Sequence, residues 1–143
     1  MSNFLTDWQR LERESETRKS LRQSLLAWAT EVLRGNSHAP AAHHRYLIDK
    51  LDAVARGEFD RLMILMPPGS AKSTYASILF PPWWFTQHPD SSIIAVSHTS
   101  SLAESFSRRV RRLVLSRSGQ LGFSLLKDER SSAKWRTSLG GEY

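Results

Sequence analysis

Residues 62–80 read LMILMPPGSAKSTYASILF, and whatever fold the chain takes has to accommodate their order. Leu62 to Met66 are apolar without a break and are bounded by Asp60 and Arg61 on one side and Pro67 and Pro68 on the other. Such a run is too short for a buried helix and suits a strand covered on both faces, as in a parallel sheet. Two consecutive prolines cannot continue inside a sheet. Gly69, Ser70 and Ala71 then bring the smallest side chains together, and from Ser73 the pattern turns helical until Pro81 and Pro82, which cannot donate helical hydrogen bonds and are expected to break or kink it. The segment therefore predicts strand, tight turn, helix.

That order of elements is also what binds phosphate. A strand delivers the chain to a turn whose amides point inward, and a helix N-terminus adds its unpaired N–H groups and the positive end of its dipole. A lysine reaches the β- and γ-phosphates, and the serine or threonine after it holds magnesium. Lys72, Ser73 and Thr74 stand at that junction. The usual G-x-x-x-x-G-K-S/T pattern is not met, because its glycines fall on Met66 and Ala71. Gly69 supplies a positive φ instead, and Ala71 is the smallest side chain that can stand beside a phosphate. The same residues suit an ordinary turn capped by Ser70 or Ser73, and it is the flanking strand and helix that favour phosphate.

Upstream, Phe4, Trp8 and Leu11 share one helical face and Leu21, Leu25, Trp28 and Val32 another, predicting two helices joined near the charged run RESETRKS. Gly35, Asn36, Ser37 and Pro40 make a loop by composition. HHRYLIDKLDAVARGEF returns to helical spacing with Gly57 as its stop. PPWWFTQHPD reads as a short helical turn with its aromatics packed inward. SSIIAVSH repeats the buried-strand pattern, TSSLAESFSRRVRRLVLS is a long helix with Leu102, Ala103, Phe106, Val110 and Leu113 on one side, and Trp135 to Ser138 suit a last strand. Helix, strand, loop, helix, strand, helix predicts an α/β fold with right-handed crossovers.

The 143 residues suffice for one domain with a core, and 40% hydrophobic against 24% charged residues lies in the globular range. A net charge of +6 favours polyanionic partners such as nucleic acid. The absence of cysteine excludes disulfides, thiolate metal sites and a cysteine nucleophile. No stretch has the apolar length of a signal peptide or a membrane span, so a soluble protein is expected.

Three stretches in order, RLMILMPPGSAKSTYAS, SSIIAVSHTSSLAESFSRRVRRLV and KWRTSLGGEY, resemble the N-terminal ATPase region of the large terminase subunit, the DNA-packaging motor of tailed bacteriophages and prophages. The resemblance covers residues 41–143, with residues 1–40 a helical segment before it. It implies a P-loop NTPase-type parallel sheet flanked by helices, incomplete in this length. Pro67, Pro68, Gly69, Ser70, Ala71, Lys72, Ser73 and Thr74 then fall on the family's variant Walker A loop, Lys72 on the terminal phosphates of ATP and Ser73 on Mg2+. Many terminases carry an arginine inside this loop; here none occurs between Pro67 and Ser73. Arg109 and Arg112, on the flank of their helix, are the candidates for an ATP or DNA phosphate, while Arg108 and Arg111 are expected on its solvated face. Implied partners are double-stranded DNA, the small terminase subunit, the portal protein and further copies in a ring, in a bacterial cytoplasm and with no membrane.

The family's Walker B strand follows a glycine-rich segment near the equivalent of GGEY, and a nuclease domain comes later. The chain is therefore expected to be a truncated ATPase, with an inactive prophage remnant or a piece of another P-loop DNA translocase as alternatives. Asp128 and Glu129, between Lys127 and Arg130, suit a solvated turn better than a catalytic role. His43 and His44 lack companions at metal-ligand spacing. Tyr46, Trp83, Trp84 and Phe85 suit core packing better than contact with a base.

Overall fold

The computed structural model describes residues 2–36, 39–126, 131 and 133–143, apart from the side chains of residues 2–5 and 36. Ser37, Lys127, Asp128, Glu129 and Arg130, and with them the expected solvated turn, lie outside the described residues. The elements are α1 (Ser2–Gln23), α2 (Leu25–Leu33), a 3₁₀ turn at Arg34–Asn36, α3 (Ala42–Ala55), a π-helical segment at Thr74–Leu79, α4 (Phe80–Gln87) and α5 (Ser100–Leu121).

The parallel α/β sheet expected from the sequence is not there. Among the described residues there is no β-strand, and pairing is confined to isolated bridges: Ser92 with Glu142, Leu125 with Thr137, and Arg136 with Glu142. Residues 61–66 do alternate, with Leu62, Ile64 and Met66 turned inward and Arg61, Met63 and Leu65 outward, the two-residue period of extended chain. Yet Met63 and Leu65 are 82% and 86% exposed, and Ile94 and Val96 are 88% and 87% exposed. A strand becomes part of a sheet only when another backbone lies about 4.8 Å away to take its hydrogen bonds. Among the described residues no backbone hydrogen bond joins 61–66 to another segment, and 91–93 pairs with Glu142 instead. An unbroken apolar run looks the same in sequence whether both its faces are covered or, as here, one.

The helices follow local chemistry closely. The break between α1 and α2 falls at Ser24, beyond the charged run, where an extended backbone lets its Oγ accept from the Ala27 N–H at 3.2 Å. The α3 helix stops at Gly57, which takes φ +73 while the N–H groups of Gly57 and Glu58 bond back to Val54 O and Ala53 O. That is the Schellman arrangement, which closes two terminal carbonyls at once. Thr99 caps α5 through the Leu102 N–H.

Pro81 and Pro82 do not break their helix. The Phe80 N–H reaches back five residues to Tyr75 O, and the prolines follow at the first positions of α4, where a missing N–H costs least. Their neighbours Trp83 and Phe85 are buried, as expected of the aromatic run, with Trp84 half-buried and its Nε1 donating to Ser91 Oγ at 2.8 Å.

A single core gathers α2, α3, the π-helical segment, α4, α5 and the last residues of the chain. Trp28 of α2 is buried and donates its indole N–H to Leu79 O at 2.9 Å, tying the N-terminal helices to the helix that follows the loop. The buried stripe of α5 is Ser107, Val110, Val114 and Leu121, rotated from the expected one, because buried Trp135 donates its indole N–H to Ser107 Oγ at 3.0 Å. Trp135 also stacks on Tyr143 with ring centres 4.8 Å apart, and the two residues exchange backbone hydrogen bonds of 3.0 and 2.9 Å. Instead of a strand, Trp135 to Ser138 carry two isolated bridges, at Arg136 and Thr137.

Candidate functional site

The loop between the extended run and the helix is made by two left-handed residues. Gly69 takes φ +78 and Ala71 takes φ +56, and Ala71 alone among the described non-glycine residues has a positive φ. An alanine there is held against a steric cost, a conformation that persists only where surrounding contacts over-determine it. Those contacts can be named. The Ser70 N–H and Oγ both donate to Pro67 O, at 3.3 and 2.7 Å, closing the turn below Gly69. The Tyr75 N–H donates to Ala71 O at 3.2 Å and starts the helix. The imidazole of His44, on α3, lies 3.0 Å from Ser70 O.

Lys72 is half-buried and curls back over the turn, its ammonium donating to Met66 O at 3.1 Å. Among the described residues no carboxylate pairs with it. Ser73 and Thr74 are half-buried, and Ser73 has a helical backbone with no capping hydrogen bond from its side chain. Pro67, Pro68 and Gly69 form the exposed tip. The loop thus unites a lysine cation without an acidic partner, the hydroxyls of Ser73 and Thr74 and the start of a helix that continues to Gln87, a donor set chemically suited to an anion carrying a magnesium ion.

The candidate arginines stand apart from this loop. Arg109 and Arg112 are both exposed on α5; Arg112 donates from Nε to Arg108 O at 3.4 Å, and neither touches residues 67–74 in any described hydrogen bond or ion pair. Arg108 is exposed and paired with Glu104 at 3.2 Å. Arg111, expected on the solvated face, is half-buried and donates to Ser131 O at 3.4 Å. Among the described residues no cluster of three or more His, Cys, Asp or Glu side chains is placed to hold a metal ion. An open concavity of about 440 Å³ beside the loop's helix lies between Val54, Phe80, Ile94, Val96 and Phe106 rather than at the loop.

In the sequence, size places Ala71 on the loop and His44 is set aside as a metal ligand, but neither the backbone of the one nor the loop contact of the other is visible there. Ala71 has no signal for its left-handed backbone beyond following a glycine and a serine. His44 gave a partial one: it stands three residues into a helix that begins behind Pro40, where a side chain reaches back to the helix start, and its Nδ1 accepts from the Ala41 N–H at 3.2 Å. Compared with family models, with curated proteins and with solved structures, the chain finds no match. No helix among the described residues is long and apolar enough to cross a membrane.

Proposed function

We propose that the loop at residues 67–74 binds the phosphates of ATP with magnesium, and that the chain is the ATP-binding part of a DNA-packaging ATPase of the terminase large-subunit kind. The observation that carries the reading is Ala71 held at φ +56 immediately before Lys72. Backbone strain of this kind clusters at ligand-binding turns, and a left-handed residue in a turn is one of the conformations that gather backbone amides into an anion-binding concavity. Pro68, Gly69, Ser70 and Ala71 shape the turn, Lys72 leaves Met66 O to meet the terminal phosphates, and Ser73, with Thr74 behind it, holds Mg2+. The ion neutralises charge on the phosphate oxygens when bound.

The reading stands on the loop and on the resemblance of the three sequence stretches, not on a sheet. Double-stranded DNA as cargo, the small terminase subunit and portal as partners, a homo-oligomeric ring, and Arg109 or Arg112 as phosphate contacts belong to the same proposal. The net charge of +6 supports it only in sign. Within this length the proposal is for binding, since no carboxylate is assigned to water activation. Magnesium-dependent ATP titration by calorimetry tests it. The wild-type chain binds, Lys72→Ala abolishes binding while retaining the circular dichroism of the folded chain, and hydrolysis followed in the same sample stays at background. Equal affinity in Lys72→Ala refutes the site. A folded wild type that ignores MgATP leaves an inert remnant as the better reading.

A further inference from the structure

We infer that His44 is the positioning residue of the loop: from α3 it holds the Ser70–Ala71 peptide in the orientation that turns the Ala71 amide toward an incoming phosphate. The inference rests on the phosphate-binding reading of residues 67–74 and adds to it a residue outside the motif.

The ring has one hydrogen-bonding state compatible with both its partners. Nδ1 lies 3.2 Å from the Ala41 backbone nitrogen, which can only donate, so Nδ1 carries no hydrogen. Nε2 lies 3.0 Å from Ser70 O, which can only accept, so Nε2 carries the hydrogen and donates it. The ring also meets Tyr75 and His43 in tilted contacts, with centroids at 4.6 and 3.9 Å. Tyr75 is itself buried at the start of the π-helical segment. His44 thus bridges 26 residues of sequence, from the N-terminus of α3 to the residue that follows the tip of the loop.

The geometry of a trans peptide gives this bridge its consequence. The C=O of Ser70 and the N–H of Ala71 belong to one planar unit and point in opposite directions. Drawing Ser70 O onto α3 turns the Ala71 N–H away from α3. The same rotation sets φ at Ala71, which stands at +56. Left alone, an alanine peptide relaxes to negative φ and carries its amide with it. Without His44, the loop keeps Lys72 and Ser73 but loses the aim of the amide between them and Gly69.

Two near-isosteric substitutions separate this role from simple helix capping. His44→Asn keeps an acceptor near the position of Nδ1 and cannot reach Ser70 O; His44→Gln places an amide N–H near the position of Nε2 and gives up the cap. We expect His44→Asn to melt near wild type while its MgATP affinity falls about tenfold, and His44→Gln to stay within about threefold of wild type, the loss of one hydrogen bond to an aimed backbone group. Wild-type affinity in His44→Asn, or an equal loss in both variants, overturns the inference. A second readout is independent of ATP: the rate of tryptic cleavage after Lys72 and the hydrogen exchange of the Tyr75 amide, which donates to Ala71 O, both raised in His44→Asn and restored in His44→Gln. If the wild type ignores MgATP but this pattern appears, His44 positions the loop and the phosphate reading is what fails. If neither rate moves, His44 only caps α3.

Discussion

Replacing Ala71 with glycine should make this protein more stable, an unusual sign for a substitution that removes a methyl group from a folded chain. Ala71 sits at φ +56. Left-handed backbone costs an L-residue about 1–2 kcal/mol, and glycine enters that region without the cost. Against this, glycine enlarges the set of unfolded conformations, worth about 0.4–1 kcal/mol in the other direction. The acceptor role of Ala71 O toward Tyr75 survives, since it is a backbone contact. Ala71 is half-buried against the core, so loss of its methyl takes back about 0.3 kcal/mol, and the balance is a gain of about 0.5 kcal/mol, or roughly 1–2 °C in Tm for a chain of this size. Ala71→Val is the companion variant: a β-branched residue in the same conformation should cost about 2 kcal/mol or more. Urea unfolding followed by far-ultraviolet circular dichroism, with m compared among the three proteins, measures both. A loss of about 0.5 kcal/mol or more in Ala71→Gly, or a valine variant as stable as wild type, would refute the argument that strain is stored at this residue. The substitution also puts a glycine where the ordinary phosphate-loop pattern has one before its lysine, so it asks whether this loop holds its shape without the residue that makes the shape easy.

Trp28→Phe should cost about 2–4 kcal/mol, because it leaves Leu79 O buried without the 2.9 Å indole donor and shrinks a fully buried ring; a single urea transition with unchanged m would show that α2 unfolds together with the rest. Gly141→Ala should destabilise by about 1–3 kcal/mol, since a Cβ there would stand 2.7 Å from ring carbons of buried Phe85 and 2.7 Å from Pro89 O; a thermal melt within error of wild type would contradict that packing. Burial raises the phenol pKa of both Tyr75 and Tyr143 above the ordinary value. The folded state therefore keeps its protons where the unfolded state has released them, and the stability present below about pH 10 is lost as pH rises through the raised values. The urea midpoint should fall above that pH, and by less in a Tyr75→Phe, Tyr143→Phe double variant; identical pH profiles would exclude these two groups.

What the sequence disclosed and what it concealed divide by range. Gly57 as a helix stop, Thr99 as a helix start and the inward packing of Trp83 and Phe85 depend on residues within one or two turns, and the structure has all three. The sheet did not follow from Leu62–Met66 or Ile93–Val96, because an apolar run specifies that something covers it and not that the cover is another strand. The buried stripe of α5 is rotated by about one residue from its apolar pattern for the same reason: Ser107 is buried by Trp135, 28 positions away, and not by its own helix. At the candidate site, the proposal for Lys72 and Ser73 comes from spacing, whereas the contact of His44 is with a carbonyl 26 residues distant that no periodicity encodes.

The outward-facing side chains of the two extended segments have a bearing on how long each molecule survives in a cell. Met63, Leu65, Ile94 and Val96 are all more than four-fifths exposed, on backbone that lacks the ladder that would hide it. Short apolar stretches of this kind are what holding chaperones and degrading proteases recognise. Exposure of such stretches in the folded state is expected to give this protein a route to turnover that does not wait for global unfolding. Threonine at Met63 and Leu65 should raise its soluble yield and lengthen its lifetime in a pulse-chase measurement while leaving the melting temperature nearly where it was.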